Sequence, residues 1–436
     1  MALFTDDARP GTPYWWDGLA LAAPDDPLPQ RVDLLVIGAG YTGLSGAIAA
    51  AERGVSVAVL DAGDPGKGAS TRNGGMFGAH PRLSWDKLRI AFGADVADAL
   101  FAEAEPARLW VEDLIERHGI DCDFQRTGRI QLAWTQSHFD GQRRLASAVS
   151  EKTPVRVRLV EREGLSQEIT TERYFGGLLF EDHAAIQPAK FHQGLLQAAK
   201  KAGASITGQA EVTVLDRTGT GFTAHTPKGT IRADKVLLAT GGYTQKPFAW
   251  AARRVFALPS YIIATEPLAA NLLGHLAPGR RMMVETRARH SYFRLSPDGT
   301  RILFGGRAAM VNVDIHTAAA RQMETMCEVW PELAGTRISH AWSGNTGYSF
   351  THMPHVGADQ GLHYALGYSG SGTVMAPYLG AKAALQALGD PEGATAYSQT
   401  PLARHWLHPS THPHFLQAAN LWYRHVVDGW ENRKAR

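Results

Sequence analysis

The chain has only two cysteines in 436 residues, Cys122 and Cys327, and no C-x-x-C. That excludes a disulfide framework and a thiolate metal site, and both thiols are expected to be small buried hydrophobes. An excess of either charge is also missing: 44 Lys and Arg stand against 42 Asp and Glu, a net charge of +2. There is accordingly no electrostatic case for nucleic acid or an anionic membrane surface as partner. No apolar run approaches the roughly 20 residues that a transmembrane helix needs. The opening MALFTDDARPGTPYWWDG lacks the basic-then-apolar pattern of a leader. The expectation is a cytoplasmic protein working on small molecules, long enough for two domains with real cores.

Glycine is abundant, and three glycines matter most. Val32 to Ile37 read as a buried parallel strand, and Gly38, Gly40 and Gly43 supply G-x-G-x-x-G at its end. Thr42 to Arg53 then read as an Ala-rich helix, and the apolar run Val55 to Leu60 ends in Asp61. Gly38 allows the tight turn, Gly40 lets a pyrophosphate approach the backbone, and Gly43 lets helix and strand pack closely. The helix N-terminus faces the phosphate charge. Asp61, 18 residues beyond Gly43, can accept hydrogen bonds from a ribose 2′-hydroxyl. An acid there argues against a 2′-phosphate, which favours FAD or NAD over NADP.

Residues 5 to 30 read as an irregular arm anchored by Tyr14, Trp15 and Trp16. Residues 86 to 118 read as helical, and Ile120 to Trp134 as strands around Thr127-Gly128-Arg129. Pro188 to Ala202 reads as a helix, with Pro in its first turn and Gly203 after its last. AEVTVLD, GFTAHTP and GTIRADKVLLATGG follow as strands. Val255 to Pro331 holds SYIIATEPL, SYFRLSPDG, RILFGGR and a helix from Ala318 to Val329, which suggests a second, sheet-containing domain. HYALGYSGSGTVMAPYLGAKAALQAL repeats the strand, Gly-rich turn, helix order of the opening unit. Thr411 to Trp430 reads as a helix covering the body, with a partner interface as the lesser alternative.

Four separated motifs, VIGAGYTGLSGA, KGASTRNGGM, VLLATGGY and GYSGSGTVMAPYLG, together resemble the FAD-dependent D-amino-acid oxidase superfamily. GAS-x-RNGG, the RLSPDG and ILFGGR pair, the MPHVG turn and the PYLG tail look most like the γ-glutamylputrescine oxidase group within it. The resemblance implies an α/β fold: a Rossmann-like three-layer FAD-binding domain with an inserted substrate domain built on a mixed β-sheet. By motif position, 1–27 would be the N-terminal arm, and 28–85, 175–250 and 338–390 the FAD-binding domain. Segments 86–174 and 251–337 would form the substrate domain, and 391–436 a C-terminal helical extension.

The same resemblance assigns cofactor contacts to Gly38, Gly40, Tyr41, Thr42, Gly43 and Asp61, and to the loop Gly68, Ala69, Ser70, Arg72, Asn73, Gly74 and Gly75. Gly74 and Gly75 permit close approach to a flat ring, while Arg72 and Asn73 can satisfy cofactor or substrate oxygens. Val212 matches an adenine contact, and Thr240 and Gly241 match the strand end near ADP. Gly370, Ser371, Gly372 and Thr373 would lie at the flavin's pyrimidine end, where a helix N-terminus stabilises the reduced anion.

Departures from the family pattern bear on the substrate. Where amino-acid oxidases commonly carry W-x-G-x-R, with Arg clamping the substrate carboxylate, this chain reads Trp342-Ser343-Gly344-Asn345-Thr346. A free α-amino acid is disfavoured, and an amine, an N-alkyl amine or an acid held by another group is favoured. Tyr292 matches a pocket tyrosine, and Arg294 faces the same side of its strand. Aromatic walls from Tyr292, Trp342 and Phe350 (or Tyr348) would suit a substrate cation. His80 either senses substrate or packs.

The lysine that some relatives use to activate oxygen is absent near Leu303, and no cysteine or histidine stands where relatives link their flavin, so FAD is expected to be non-covalent. The His352 and His355 stretch lacks carboxylate or Cys partners, so no metal is expected. The implied reaction is oxidation of a primary or secondary amine by hydride transfer to flavin N5. The imine hydrolyses to an aldehyde, and oxygen is reduced to peroxide. The alternatives are a dehydrogenase passing electrons to a quinone or protein, or a non-catalytic FAD-binding redox subunit. The oligomeric state stays open.

Overall fold

Beyond the exposed Arg31 and Asp33 at its start, neither face of the strand Arg31–Ile37 sees water, since Leu34, Leu35 and Val36 are fully buried, as a central parallel strand requires. In a computed structural model, which describes residues 2–435, this strand lies between Val57–Leu60 and Gly229–Leu238, parallel to both. Ser205–Thr207 extends the sheet on one side and Leu362–Leu366 pairs parallel with Gly229–Leu238 on the other. The strands Val214–Thr218, Gly221–Thr226 and Gly229–Leu238 form an antiparallel meander. Its Phe222, Ala224 and Ile231 bury with Leu35, Ile37 and Ala58 in one core.

On the opposite face the helices Tyr41–Ala51, Pro188–Lys201 and Gly372–Leu388 form the third layer. Their approach is close because glycines meet backbone. A Cβ on Gly43 would lie 1.9 Å from the Gly38 carbonyl oxygen, and one on Gly380 would lie 2.1 Å from that of Thr42. Helices Trp85–Phe92, Ala94–Ala102 and Ala104–Arg117 join this layer through Leu88, Phe101 and Val111, so much of the 86–174 segment packs on the dinucleotide side.

The second sheet is mixed and nine-stranded. From one edge it runs Phe4–Pro10, Ile338–Ser349, Val255–Thr265, Ile302–Gly306, Ser291–Leu295, Met282–Glu285, Arg129–Leu132, Gly176–Phe180 and Val157–Glu161. Helix Ile315–Val329 packs on the sheet, placing Ala319, Met326 and Val329 in a core with Phe293 and Phe304. Three expectations need correction. The N-terminal arm is not wholly irregular, because Phe4–Pro10 is an edge strand; its polar, half-exposed FTDDARP carries no alternation to read. Ile120 to Trp134 yields one strand, with Gln125 making only an isolated bridge. Ile338–Ser349 and Gly176–Phe180, placed above with the FAD domain, belong to the nine-stranded sheet. The motifs that located the dinucleotide domain carry no mark of where a strand changes sheet. Met1 and Arg436, at the outer ends of the terminal segments, lie outside the described residues.

The C-terminal helices Phe415–Trp422 and Asp428–Lys434 brace the loops beside the second sheet. Asn420 accepts the Met310 N–H at 2.9 Å, Glu431 accepts the Ala288 N–H, and Asp428 pairs with Arg289. Among the described residues no helix is long and apolar enough to cross a membrane. The helix contact at Gly380 generates a test. Gly380→Ala is expected to lower stability by about 1–3 kcal/mol through overpacking, read as a lowered denaturation midpoint, whereas Gly274→Ala, in the helix Ala270–Leu276 with open space around it, should not lower it.

Candidate active site

The βα turn is drawn tight by Asp61. Its carboxylate accepts the Ala39 N–H at 2.8 Å and the Gly63 N–H at 3.0 Å, while burial raises its pKa above the ordinary carboxylate value. Gly38 holds φ +108°, and a Cβ on Gly40 would sit 2.9 Å from Ser70 Oγ, which accepts the Tyr41 N–H. A cleft of about 510 Å³ opens here. Gly38, Gly40, Tyr41, Thr42 and Asp61 line one end, and Val212, Thr240 and Gly241 line the strand-end wall. Gly43 lies outside the cleft, and the close Gly38 carbonyl gives it a packing role.

The loop from Gly68 to Gly75 crosses the floor. Three indoles fix it: Trp15 donates to the Asn73 carbonyl (2.8 Å), Trp16 to Thr71 Oγ1 (3.0 Å) and Trp342 to the Arg72 carbonyl (2.9 Å). Asn73 closes the turn on itself, donating to the Ser70 carbonyl at 2.9 Å and accepting the Gly75 N–H at 2.9 Å. Arg72 donates to the Lys67 and Ser343 carbonyls and lies over the Trp16 ring. Asn73 thus spends its amide on the loop itself, while Arg72 commits Nε and Nη1 to backbone carbonyls and still borders the second cavity. Gly68, Ala69 and Ser70 line the cleft, Arg72 and Gly74 line a second cavity, and Asn73 lines both. Gly75 lines neither; its carbonyl accepts from Ile186 and Arg294.

The second cavity, about 420 Å³, lies between this loop and the nine-stranded sheet. It shares Ala69, Asn73, Asn345, Thr346, Gly370 and Thr373 with the cleft, so the two join there. Helix Gly372–Leu388 starts at the junction with no side chain capping its N-terminus, leaving free N–H groups and positive dipole beside Ser371, Gly372 and Thr373. Tyr292 forms part of the roof. Its ring would clash with a Cβ on Gly74, its hydroxyl bonds Ser260 Oγ at 2.9 Å, and burial pushes its pKa up to about 12. Arg294 shares its face but anchors the Gly75 and Ile186 carbonyls.

His80 lines the chamber against Phe180, and burial pulls its pKa down to about 3, so it stays neutral at physiological pH and senses none of it. Two expected aromatic walls are absent from the chamber. Trp342 is fully buried with Trp15 behind the loop, and Phe350 stacks on His405 at 4.4 Å. Trp342 shares its strand face with Gly344 and Thr346, but the floor loop covers it: its indole bonds the Arg72 carbonyl from beneath, while Gly344 and Thr346 lie further along and face the chamber. Tyr348 lines the chamber instead.

Sequence reasoning missed Arg82, Arg129 and Arg307, all of which line the chamber. Arg82 donates to the Ser369 carbonyl (2.8 Å) and to the Tyr348 hydroxyl (3.1 Å), which Arg307 also contacts. Among the described residues the one carboxylate in the lining, Glu285, is bound by Arg287, Tyr174 and the Ser291 N–H. A balanced net charge hides such a local excess, and only Arg307, at the end of RILFGGR, carried a positional signal.

A dinucleotide cleft that opens beneath a sheet-roofed polar chamber defines the class as a nucleotide-dependent oxidoreductase. The chain belongs to the FAD dependent oxidoreductase family, whose model matches residues 33–385. It is 32% identical to a probable oxidoreductase OrdL of Rhizobium meliloti, over 83% of this chain and 84% of that one. It is 29% identical to the γ-glutamylputrescine oxidoreductase of Escherichia coli, over 87% and 89% of the two chains. Among solved structures, glycine oxidase of Geobacillus kaustophilus superposes with a TM-score of 0.68 at 22% identity, covering 87% of this chain and 99% of that one. The protein is thus an FAD-dependent oxidoreductase with the expected α/β fold.

The indole anchors can be tested singly. Trp342→Phe keeps an aromatic ring but removes the buried donor to the Arg72 carbonyl and part of the packed volume, and is expected to lower unfolding free energy by about 1–3 kcal/mol, measured by denaturant titration.

Proposed function

We propose that the protein oxidises an amine at the carbon next to nitrogen, with FAD in the cleft and the amine in the chamber. The observation carrying this reading is the charge of the chamber: among the described residues, four arginines without a carboxylate partner (Arg72, Arg82, Arg129 and Arg307) line it, and its one carboxylate is already paired. An amine must lose its proton before its lone pair can assist oxidation. Fixed positive charge disfavours the ammonium form and so helps that loss. Hydroxy-acid oxidation would instead call for a base near neutrality. His80 and His290, both held far below the ordinary histidine value by burial, are too weakly basic for that.

The cleft suits FAD residue by residue. Gly38, Gly40 and the helix N-terminus after them would take the pyrophosphate, Asp61 a ribose hydroxyl, and Val212 the adenine. The floor loop would lie beneath the flat ring, and the uncapped Gly372–Leu388 terminus at its pyrimidine end. When bound, FAD supplies a hydride acceptor that returns the electron pair to oxygen, giving peroxide, or to another acceptor. The chain's own residues orient the amine: Tyr292 presses it from the roof, and Asn345 and Thr346 offer polar groups at the junction. Water then hydrolyses the released imine to an aldehyde and ammonia or a smaller amine. No lysine is among the described lining residues of the chamber, and this favours, as a second reading, a dehydrogenase serving a quinone or protein acceptor.

Turnover of primary and N-alkyl amines is expected to give aldehyde in step with acceptor consumption. Peroxide formed at the same rate identifies oxygen as acceptor, whereas a dye-linked rate about tenfold above the aerobic one identifies the dehydrogenase. Turnover of hydroxy acids with none of any amine would overturn the reading. In pH profiles, kcat/KM should rise with pH along a limb set by the substrate's ammonium group. His80 is neutral above about 3, so His80→Gln should leave that midpoint in place; a midpoint that moves with the substitution would contradict it.

A further inference from the structure

The arginines of the chamber are short of acceptors. No carboxylate lies within ion-pairing distance of Arg82, Arg129 or Arg307 among the described residues, although Arg287 beside them is paired twice. Arg129 is half-buried, and its buried Nε has no partner among the described residues. Arg307 is half-buried and Arg82 exposed, so a ligand that covered them would have to bring the counter-charge the protein does not supply, because taking an unpaired guanidinium out of water is strongly unfavourable.

Tyr348 sharpens the case. Arg82 and Arg307 both donate to its hydroxyl oxygen, which uses the two lone pairs. Its own O–H then has no acceptor among the described groups and is free to donate. Two guanidinium groups and one hydroxyl thus offer donors and no acceptor at one place in the chamber wall. The place is near the junction: a Cβ on Gly370, which lines both cavities, would lie 3.3 Å from Arg82 Nη1 and 3.5 Å from the Tyr348 hydroxyl. Only a ligand group that accepts without donating, and is negative, satisfies all three.

We propose that Arg82, Arg307 and the Tyr348 hydroxyl form a carboxylate-binding site, so that the amine oxidised in this chamber carries a carboxylate. The assignment rests on the amine reading above for the substrate's reacting end, and on the donor cluster alone for its acidic end. It replaces the missing arginine at Thr346 with two arginines from elsewhere in the chain, one after Met76–Phe77 and one at the end of Ile302–Gly306. A planar carboxylate matches the guanidinium fork in two parallel bonds.

The test uses FAD-loaded protein and ligands that cannot be oxidised: valerate, its uncharged counterpart valeramide, and inorganic phosphate, at fixed ionic strength in chloride. Binding is read from perturbation of the visible flavin band, without turnover. Valerate should bind about tenfold or more tighter than valeramide. That advantage should fall below about threefold in Arg307→Met and in Arg82→Met. Tyr348→Phe, which conserves shape and protects the test should an arginine variant fail to fold, should weaken valerate about threefold to tenfold and leave valeramide unchanged. Equal binding of valerate and valeramide to the unaltered protein would overturn the site. So would an advantage retained in the arginine variants, or phosphate binding as tightly as valerate. These results are independent of turnover. Should pentylamine be oxidised as efficiently as 5-aminovalerate, the carboxylate site falls and the amine reading stands. Should valerate bind as expected while no amine is oxidised, the amine reading falls and the anion site stands.

Discussion

Everything in the site hangs on how the loop from Gly68 to Gly75 is held. It runs between the two sheets, forming the floor of both cavities, and a loop in that position must meet its backbone hydrogen-bonding needs without water. Trp15 and Trp342 do this from below, with Trp16 held to the Thr71 hydroxyl beside them, Arg294 does it from the side, and Asn73 closes the turn from within. The tryptophans bring large apolar rings and one donor each, so a single residue both fills the core and satisfies a polar group. Once the loop is fixed, the distance between cleft and roof is fixed, and with it the space for a flat cofactor and a small substrate. The N-terminal segment, remote in sequence, is drawn into the site by the same need: Trp15 also accepts from Gln187 through its carbonyl.

Two sheets with different tasks meet at that loop. The parallel sheet places helix N-termini at the cleft, and their dipoles suit phosphate at one end and a reduced ring at the other. The mixed sheet contributes a roof whose inward side chains include Tyr292, Val284, Gln131 and Arg129. Arg129 and Gln131 fall two apart on one strand and so share its inner face. The chamber that results is cationic in a protein of nearly balanced charge. That contrast bears on the substrate, because guanidinium groups with no carboxylate partner among the described residues face the chamber.

Much of this was legible in the sequence, and the reasons differ by element. The βαβ unit was plain because strand, glycine spacing, helix and acid each carry an independent mechanism. The Gly-rich turn before Gly372–Leu388 was plain for the same reason. Tyr292 and Thr346 came from motif position and do line the chamber. Trp342 was misread because the floor loop covers its stretch of an otherwise chamber-facing strand, and Phe350 because it falls just past that strand's end and packs on His405. The arginines were invisible because Arg82 and Arg129 lie in ordinary polar stretches, and their meaning comes only from what they lack as partners in space. Sheet membership of Ile338–Ser349 was hidden because strand periodicity does not reveal which neighbour a strand will choose.

The central claim is that an amine gives its electrons to FAD within this chamber, and anaerobic titration of the purified FAD-loaded protein tests it most directly. The account predicts that a carboxylate-bearing amine bleaches the oxidised-flavin band stoichiometrically, while a hydroxy acid of the same length leaves it unchanged. Bleaching by the hydroxy acid and not by the amine would contradict it.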